Sequence, residues 1–175
     1  ELPQLPLIPF GVHGADFTID AARRDAVRQR LGIEAGDIAF LFFGRLSFHA
    51  KAHPQQMLAA LERPVQNGRR VHLLLCGWFA NEATDKACHE AAAQLCPSVR
   101  LAVLDGRDMA NQLDARAAAD VFISLADNVQ ETFGLTPLEA MAAGLPCIVS
   151  DWSGYRDTVR DGVDGYRIPT VMPAA

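Results

Sequence analysis

Of the chain's 175 residues half are apolar and 21% charged, with a formal net charge of −5. That is the size and make-up of one globular domain with its own core, and the acidic balance argues against a nucleic-acid surface. No apolar run approaches the ~18 residues of a membrane span, and no basic-then-apolar leader opens the chain.

Residue 1 is Glu rather than Met, so the chain is expected to be cut from something longer. The opening ELPQLPLIPFGV has prolines at 3, 6 and 9 and cannot be helical. It reads as an extended connector over residues 1–18, followed by a folded domain over 19–170 and a truncated tail, 171–175. Ala26, Val27 and Leu31 predict a helix over Ala21–Leu31. The run IAFLFF, Ile38–Phe43, ends at Gly44 and predicts a buried strand. A helix over Pro54–Pro64 follows, with Met57, Leu58 and Leu61 as its apolar stripe. The alternation continues with a strand Val71–Cys76 ending at Gly77, a helix Asn81–Leu95, a strand Val99–Leu104 ending before Gly106, and a helix Met109–Ala119. Then come a strand Val121–Leu125, a helix Leu135–Ala143, a strand Cys147–Ser150, a short helix Tyr155–Val159 and a strand Gly165–Ile168.

Six apolar runs separated by amphipathic helices predict an α/β, doubly wound parallel sheet of Rossmann-like type. Ligands bind such sheets beyond the carboxyl ends of the strands. Here those ends are Gly44–Lys51, Gly77–Trp78, Asp105–Arg107, Leu125–Phe133 and Asp151–Gly154. The basic residues are mostly arginine, with only Lys51 and Lys86 as lysines, which reads as base-composition bias. Cys76, Cys88, Cys96 and Cys147 form no C-x-x-C pair and read as small buried hydrophobes in a reduced, cytoplasmic compartment.

Several chemistries are excluded by what the sequence lacks. No two glycines stand one residue apart, so G-x-G-x-x-G is missing, and neither lysine follows a glycine, so there is no P-loop. No two aspartates stand one residue apart, which removes the D-x-D device for a metal–diphosphate. His49 and His53 have metal-like spacing but no carboxylate beside them and are not read as ligands. No serine sits in a G-x-S-x-G elbow.

What remains is QETFGLTPLEAMAAGLP, residues 130–146. Gly134 opens a helix, Pro137 falls in its first turn, and Gly144 ends it as a left-handed cap with Pro146 beyond. Leu135, Leu138, Met141 and Ala142 are its expected buried stripe. The N–H groups of Phe133, Gly134, Leu135 and Thr136, with the positive end of the helix dipole, form an anion site. Glycine at 134 would let a ligand oxygen approach the backbone. Glu131 and Glu139, with seven residues between them, suit a ligand that presents hydroxyls besides phosphate. The plainer alternative has Glu131 capping the helix and Glu139 complementing its dipole. Arg45 and Lys51, after the first strand, are two cations placed to neutralise a diphosphate without a metal, or else two solvated charges.

The Arg45/Lys51 loop, the ETFGLTPLEAMAAGLP segment and the following SDWSGYRDTVRDGVDGYRIPT together resemble the donor-binding domain of glycosyltransferase family 4. These are retaining enzymes of GT-B fold that use nucleotide-sugars. The resemblance runs from about Ile8 to Thr170, and IPFGVHGADF is similar to the family's interdomain connector. It implies that the chain is the C-terminal half of a GT-B enzyme of bacterial glycan biosynthesis. The N-terminal, acceptor-binding domain would be missing and the isolated domain inactive. It implies catalytic roles for Arg45, Lys51 and Glu131: the two cations on the diphosphate, Glu131 on the transferred sugar with the backbone of Phe133 and Gly134. Leu135 and Thr136 would meet the distal phosphate and Glu139 the ribose. Gly44 and the Asp105–Gly106–Arg107 loop would complete the donor site, the latter beside the base. No metal or other cofactor is expected, and the implied partner is a nucleotide-diphospho-sugar. A cytoplasmic location, or a peripheral one at the inner membrane through the missing domain, fits. Ala52 departs from the Lys-Gly of many members but leaves Lys51 in place. A GT-B nucleotide-sugar epimerase and a non-catalytic nucleotide-sugar binding module are the alternatives.

Overall fold

The computed structural model describes residues 10–47, 54–127 and 133–170. After a one-turn 3-10 helix at Gly14–Phe17 the order is α1 (Ala21–Leu31), β1 (Ile38–Leu46), α2 (Pro54–Gln66), β2 (Val71–Phe79), α3 (Glu82–Leu95), β3 (Arg100–Asp105) and α4 (Met109–Ala118). It continues with β4 (Val121–Ser124), α5 (Leu135–Ala142), β5 (Cys147–Ser150), α6 (Tyr155–Thr158) and β6 (Gly165–Ile168). All strands pair in parallel in the order β3-β2-β1-β4-β5-β6. The order reverses between β1 and β4, which sets the ligand crevice of such a sheet at the carboxyl ends of those two strands.

Two-residue periodicity divides the core. Ala39 and Leu41 of β1, with Leu74 and Cys76 of β2, face one side, where Val27, Ala115, Ala140 and Tyr155 pack from α1, α4, α5 and α6. Phe40 and Phe42, with Leu73 and Leu75, face the other, against Met57, Leu58 and Leu61 of α2 and Cys88 and Ala92 of α3. The four cysteines are free and buried. Burial pushes the Cys76 and Cys147 thiols up to about 12 and those of Cys88 and Cys96 to about 11, which suits inert packing groups.

The expected elements are all present, with four instructive differences. β1 and β2 run three residues further than their apolar runs, because pairing continues past the glycines: Gly44 faces Gly77, Arg45 faces Trp78 and Leu46 faces Phe79. Arg45 therefore lies inside β1 and not in the loop after it. α2 continues through Pro64, whose missing donor leaves the carbonyl of Ala60 on an exposed turn where water can reach it. In α5 the fully buried residues are Pro137 and Ala140, and Leu135, expected in the buried stripe, is 43% exposed.

The arginine excess also has a structural use. α1 buries only Val27 and is held to α4 by ion pairs. Arg23 and Arg30 donate to Asp114, while Arg24 and Arg28 reach Asp120 and the carbonyls of Ala117, Ala118 and Ala119. Those carbonyls are the unpaired end of α4, and the guanidinium fork satisfies several at once. Burial opposes ionisation of Asp114 and Asp120, but the arginines, with the Ala39 N–H on Asp120, outweigh it and hold both below the usual carboxylate range. Asp37, buried under β1 and β2, is likewise held low by the Glu34 N–H, His72 and Arg70 against its desolvation.

Candidate functional site

Toward the carboxyl edge, β1 carries Gly44, β2 carries Gly77 in register with it, and Gly106 follows the last residue of β3. A Cβ on Gly77 would stand 1.9 Å from the Gly44 carbonyl oxygen, and one on Gly106 would stand 2.7 Å from the Gly77 Cα. The three backbones therefore pack against each other with no room for side chains. Gly106 donates to the Gly77 carbonyl at 2.9 Å, so the turn after β3 is tied down. Asn111 and Gln112, at the start of α4, donate to the carbonyls of Asp105 and Gly106. Arg107 folds back on Asp105 with side-chain bonds of 2.9 and 2.8 Å, and its N–H donates as well at 3.0 Å. The paired guanidinium holds the Asp105 carboxyl down to about 2. Each of these two exposed charges thus already has a partner.

β4 leads from the other side of the switch point to α5. Gly134 is the N-cap with φ 80° and no side-chain cap. Proline at 137 supplies no N–H, so the free donors of the first turn belong to Leu135 and Thr136. The reason for glycine at 134 is structural. Besides its positive φ, an added Cβ would stand 2.4 Å from the Tyr155 ring. Tyr155 is fully buried and its hydroxyl pairs with Ser124 at 2.9 Å. Thus α6 and β4 together fix where α5 begins. Phe133 meets Phe10 of the connector edge-on, ring centroids 5.2 Å apart.

Glu139, in the second turn of α5, accepts from Arg116 Nη2 at 2.7 Å. Arg116 is 5% exposed, and its guanidinium lies over two rings, 4.7 Å from Phe43 of β1 and 5.1 Å from Phe17 of the 3-10 turn. No sequence motif marks this residue. The available signal is a single arginine inside the alanine run of α4, where a charge needs a buried partner.

Of the expected site residues, Gly44, Arg45, Asp105, Gly106, Phe133, Gly134, Leu135, Thr136 and Glu139 all lie at or near this edge, on β1, β3 and the start of α5. Lys51 and Glu131, with His49 and His53, lie outside the described residues. Trp78, 39% exposed and in register with Arg45, adds an aromatic surface that the sequence reading left unassigned. Among the described residues no three His, Cys, Asp or Glu side chains converge as metal ligands, and no helix is long and apolar enough to cross a membrane.

Comparison with known proteins gives a consistent result. The family model for glycosyl transferases group 1 matches residues 23–175. The chain is 32% identical over 184 residues to the D-inositol 3-phosphate glycosyltransferase of Xylanimonas cellulosilytica, covering all of this chain and 42% of that protein. Among solved structures, Anabaena HepE in complex with UDP and glucose superposes with a TM-score of 0.71 at 24% identity, over 91% of this chain and 41% of that one. The C-terminal domain of a glycosyl transferase group 1 family protein, LpcC, from Francisella tularensis superposes at 0.67 with 18% identity, over 91% and 80%. At these identities the two structures show a shared fold. The chain spans about two-fifths of the curated relative's length.

Proposed function

The chain belongs to the glycosyl transferases group 1 family, and from that premise we propose that it is the donor-binding, C-terminal domain of a retaining glycosyltransferase of GT-B, family 4 type. The observation that carries this reading is the glycine-opened N-terminus of α5, uncapped by any side chain, following the strand that borders β1 at the switch point. A diphosphate placed there meets the N–H groups of Leu135 and Thr136 and the positive end of the dipole. Arg45, exposed on β1, and Lys51 supply the balancing cations. Glu131 and the backbone at Phe133 and Gly134 take the sugar, Glu139 the ribose, and Gly44 with the Asp105–Gly106 turn the remaining donor contacts.

In the reaction the anomeric C–O bond to the diphosphate breaks as the acceptor oxygen attacks from the same face. The sugar passes through an oxocarbenium-like state, and a departing phosphate oxygen takes the acceptor proton. Such a step needs positioned charge more than a conventional base. Cations and helix N–H groups stabilise the leaving group, so the binding needs no metal. The acceptor is held by a domain N-terminal to this one.

Two substitutions test the division of the ligand, read by calorimetry. Glu139→Gln weakens the nucleoside diphosphate and the nucleotide-sugar alike, by about 1 kcal/mol, since Gln still accepts but without charge. Glu131→Gln weakens only the sugar-bearing ligand. Equal losses for both ligands in the Glu131 variant would refute the assignment.

A further inference from the structure

Glu139 is not a free carboxylate waiting for a ligand. Its Oε2 is occupied by Arg116, and Oε1 has no bonded partner among the described residues. Arg116 has been taken almost wholly out of water, and its guanidinium lies over the rings of both Phe17 and Phe43. A desolvated guanidinium over two aromatic faces strongly favours holding a carboxylate, and the pair freezes the Glu139 rotamer before any ligand arrives. Each plate belongs to a different element. Phe43 is on β1, the central strand, while Phe17 is on the turn that ends the connector. The connector touches the site a second time, through Phe10 on Phe133.

We propose that Arg116 is a positioning residue for the donor site, holding Glu139 with Oε1 turned to the nucleotide's ribose, and that Phe17 makes the connector part of that site. The inference rests on the donor-site reading above. It adds that ribose selection depends on a residue that touches no ligand and on a ring outside the sheet. Loss of the Phe17 plate admits water to the guanidinium, loosens the ion pair and lets Glu139 sample other rotamers. The ribose contact then weakens while the diphosphate contacts at the start of α5 remain.

The test is the ratio of affinities for a ribonucleoside diphosphate and its 2′,3′-dideoxy counterpart, measured on the full chain with UDP, GDP and ADP. The wild type prefers the ribose form by about tenfold or more, the size of one charge-assisted hydrogen bond. Arg116→Met brings the ratio to within about twofold of unity, and Phe17→Leu lowers it about threefold. Phe17→Trp, which keeps an aromatic face, recovers the preference that Leu loses. Dideoxy affinity stays within about twofold throughout, a pattern that a general loss of structure would not give. An unchanged ratio in Arg116→Met, with only a lowered melting temperature, overturns the positioning role. Should Arg116→Met fail to fold, an unchanged ratio in Phe17→Leu overturns it instead. A wild type that binds the diphosphates with no ribose preference refutes the inference and leaves the diphosphate reading standing. A wild type that binds none of the three refutes the donor-site reading, and the inference with it.

Discussion

Replacing Gly134 with alanine separates backbone strain from crowding at the start of α5, because Gly144 at the other end of the helix supplies a matched control. Both glycines have φ near 80°, a region that costs an L-residue about 1–2 kcal/mol. Around Gly144 nothing lies within 4 Å of an added Cβ, so Gly144→Ala should cost that strain alone. At Gly134 the added carbon meets the Tyr155 ring at 2.4 and 2.6 Å. The ring is the larger, fully buried partner, and moving it costs about 1–3 kcal/mol of overpacking. It also strains the hydroxyl bond to Ser124, about 1 kcal/mol more. The expected loss is thus about 3–6 kcal/mol against 1–2, or a melting temperature lower by roughly 6–24 °C against 2–8 °C for a domain of this size. Urea and thermal unfolding of both variants measure the difference. A Gly134→Ala protein within about 1 kcal/mol of Gly144→Ala would show that Tyr155 yields freely and that α6 does not fix the helix start.

Stability should fall in acid through Asp37, Asp114 and Asp120, whose folded pKa values lie below that of a free aspartate, about 3.9. Their contribution is complete above that value and is lost as pH falls through the lowered folded ones. Asp114→Asn, which removes the acceptor charge for Arg23 and Arg30, should cost about 2 kcal/mol at pH 7. Unfolding at pH 7 and pH 3 checks that the gap to wild type narrows in acid. The best-binding nucleoside diphosphate should keep its affinity in chelator, and a loss of tenfold, about 1.4 kcal/mol, would reveal a metal requirement. This chain alone, given UDP-, GDP- or dTDP-sugars and candidate acceptors, should bind donor but form no product. Clear transfer in a product assay would show that the acceptor side is already complete.

Much of this protein is legible from local patterns. Hydrophobic runs of strand length, ended by glycines and separated by helical periodicity, are set by short-range sequence, so the alternation and the α/β class follow from residues near each other in the chain. The bounds of α1, β5 and β6 match their apolar patterns residue for residue. The α5 segment is equally plain, because Gly134, Pro137 and Gly144 each act on their own turn. Other features depend on contacts between distant residues. Tertiary packing continued β1 past Gly44 and drew Arg45 into the strand, through pairing with β2. It put Pro137 and Ala140, rather than Leu135, against the core. It also set Tyr155 over Gly134, which gives that glycine a packing reason beside its conformational one. Above all it brought Arg116, Glu139, Phe17 and Phe43 together from α4, α5, the connector turn and β1, a buried guanidinium over two rings paired with a half-buried carboxylate. A motif records which side chains stand at fixed offsets along one segment. A buried charge is satisfied by whichever groups the fold brings beside it, and for Arg116 the carboxylate and the two rings lie 23, 73 and 99 residues away along the chain.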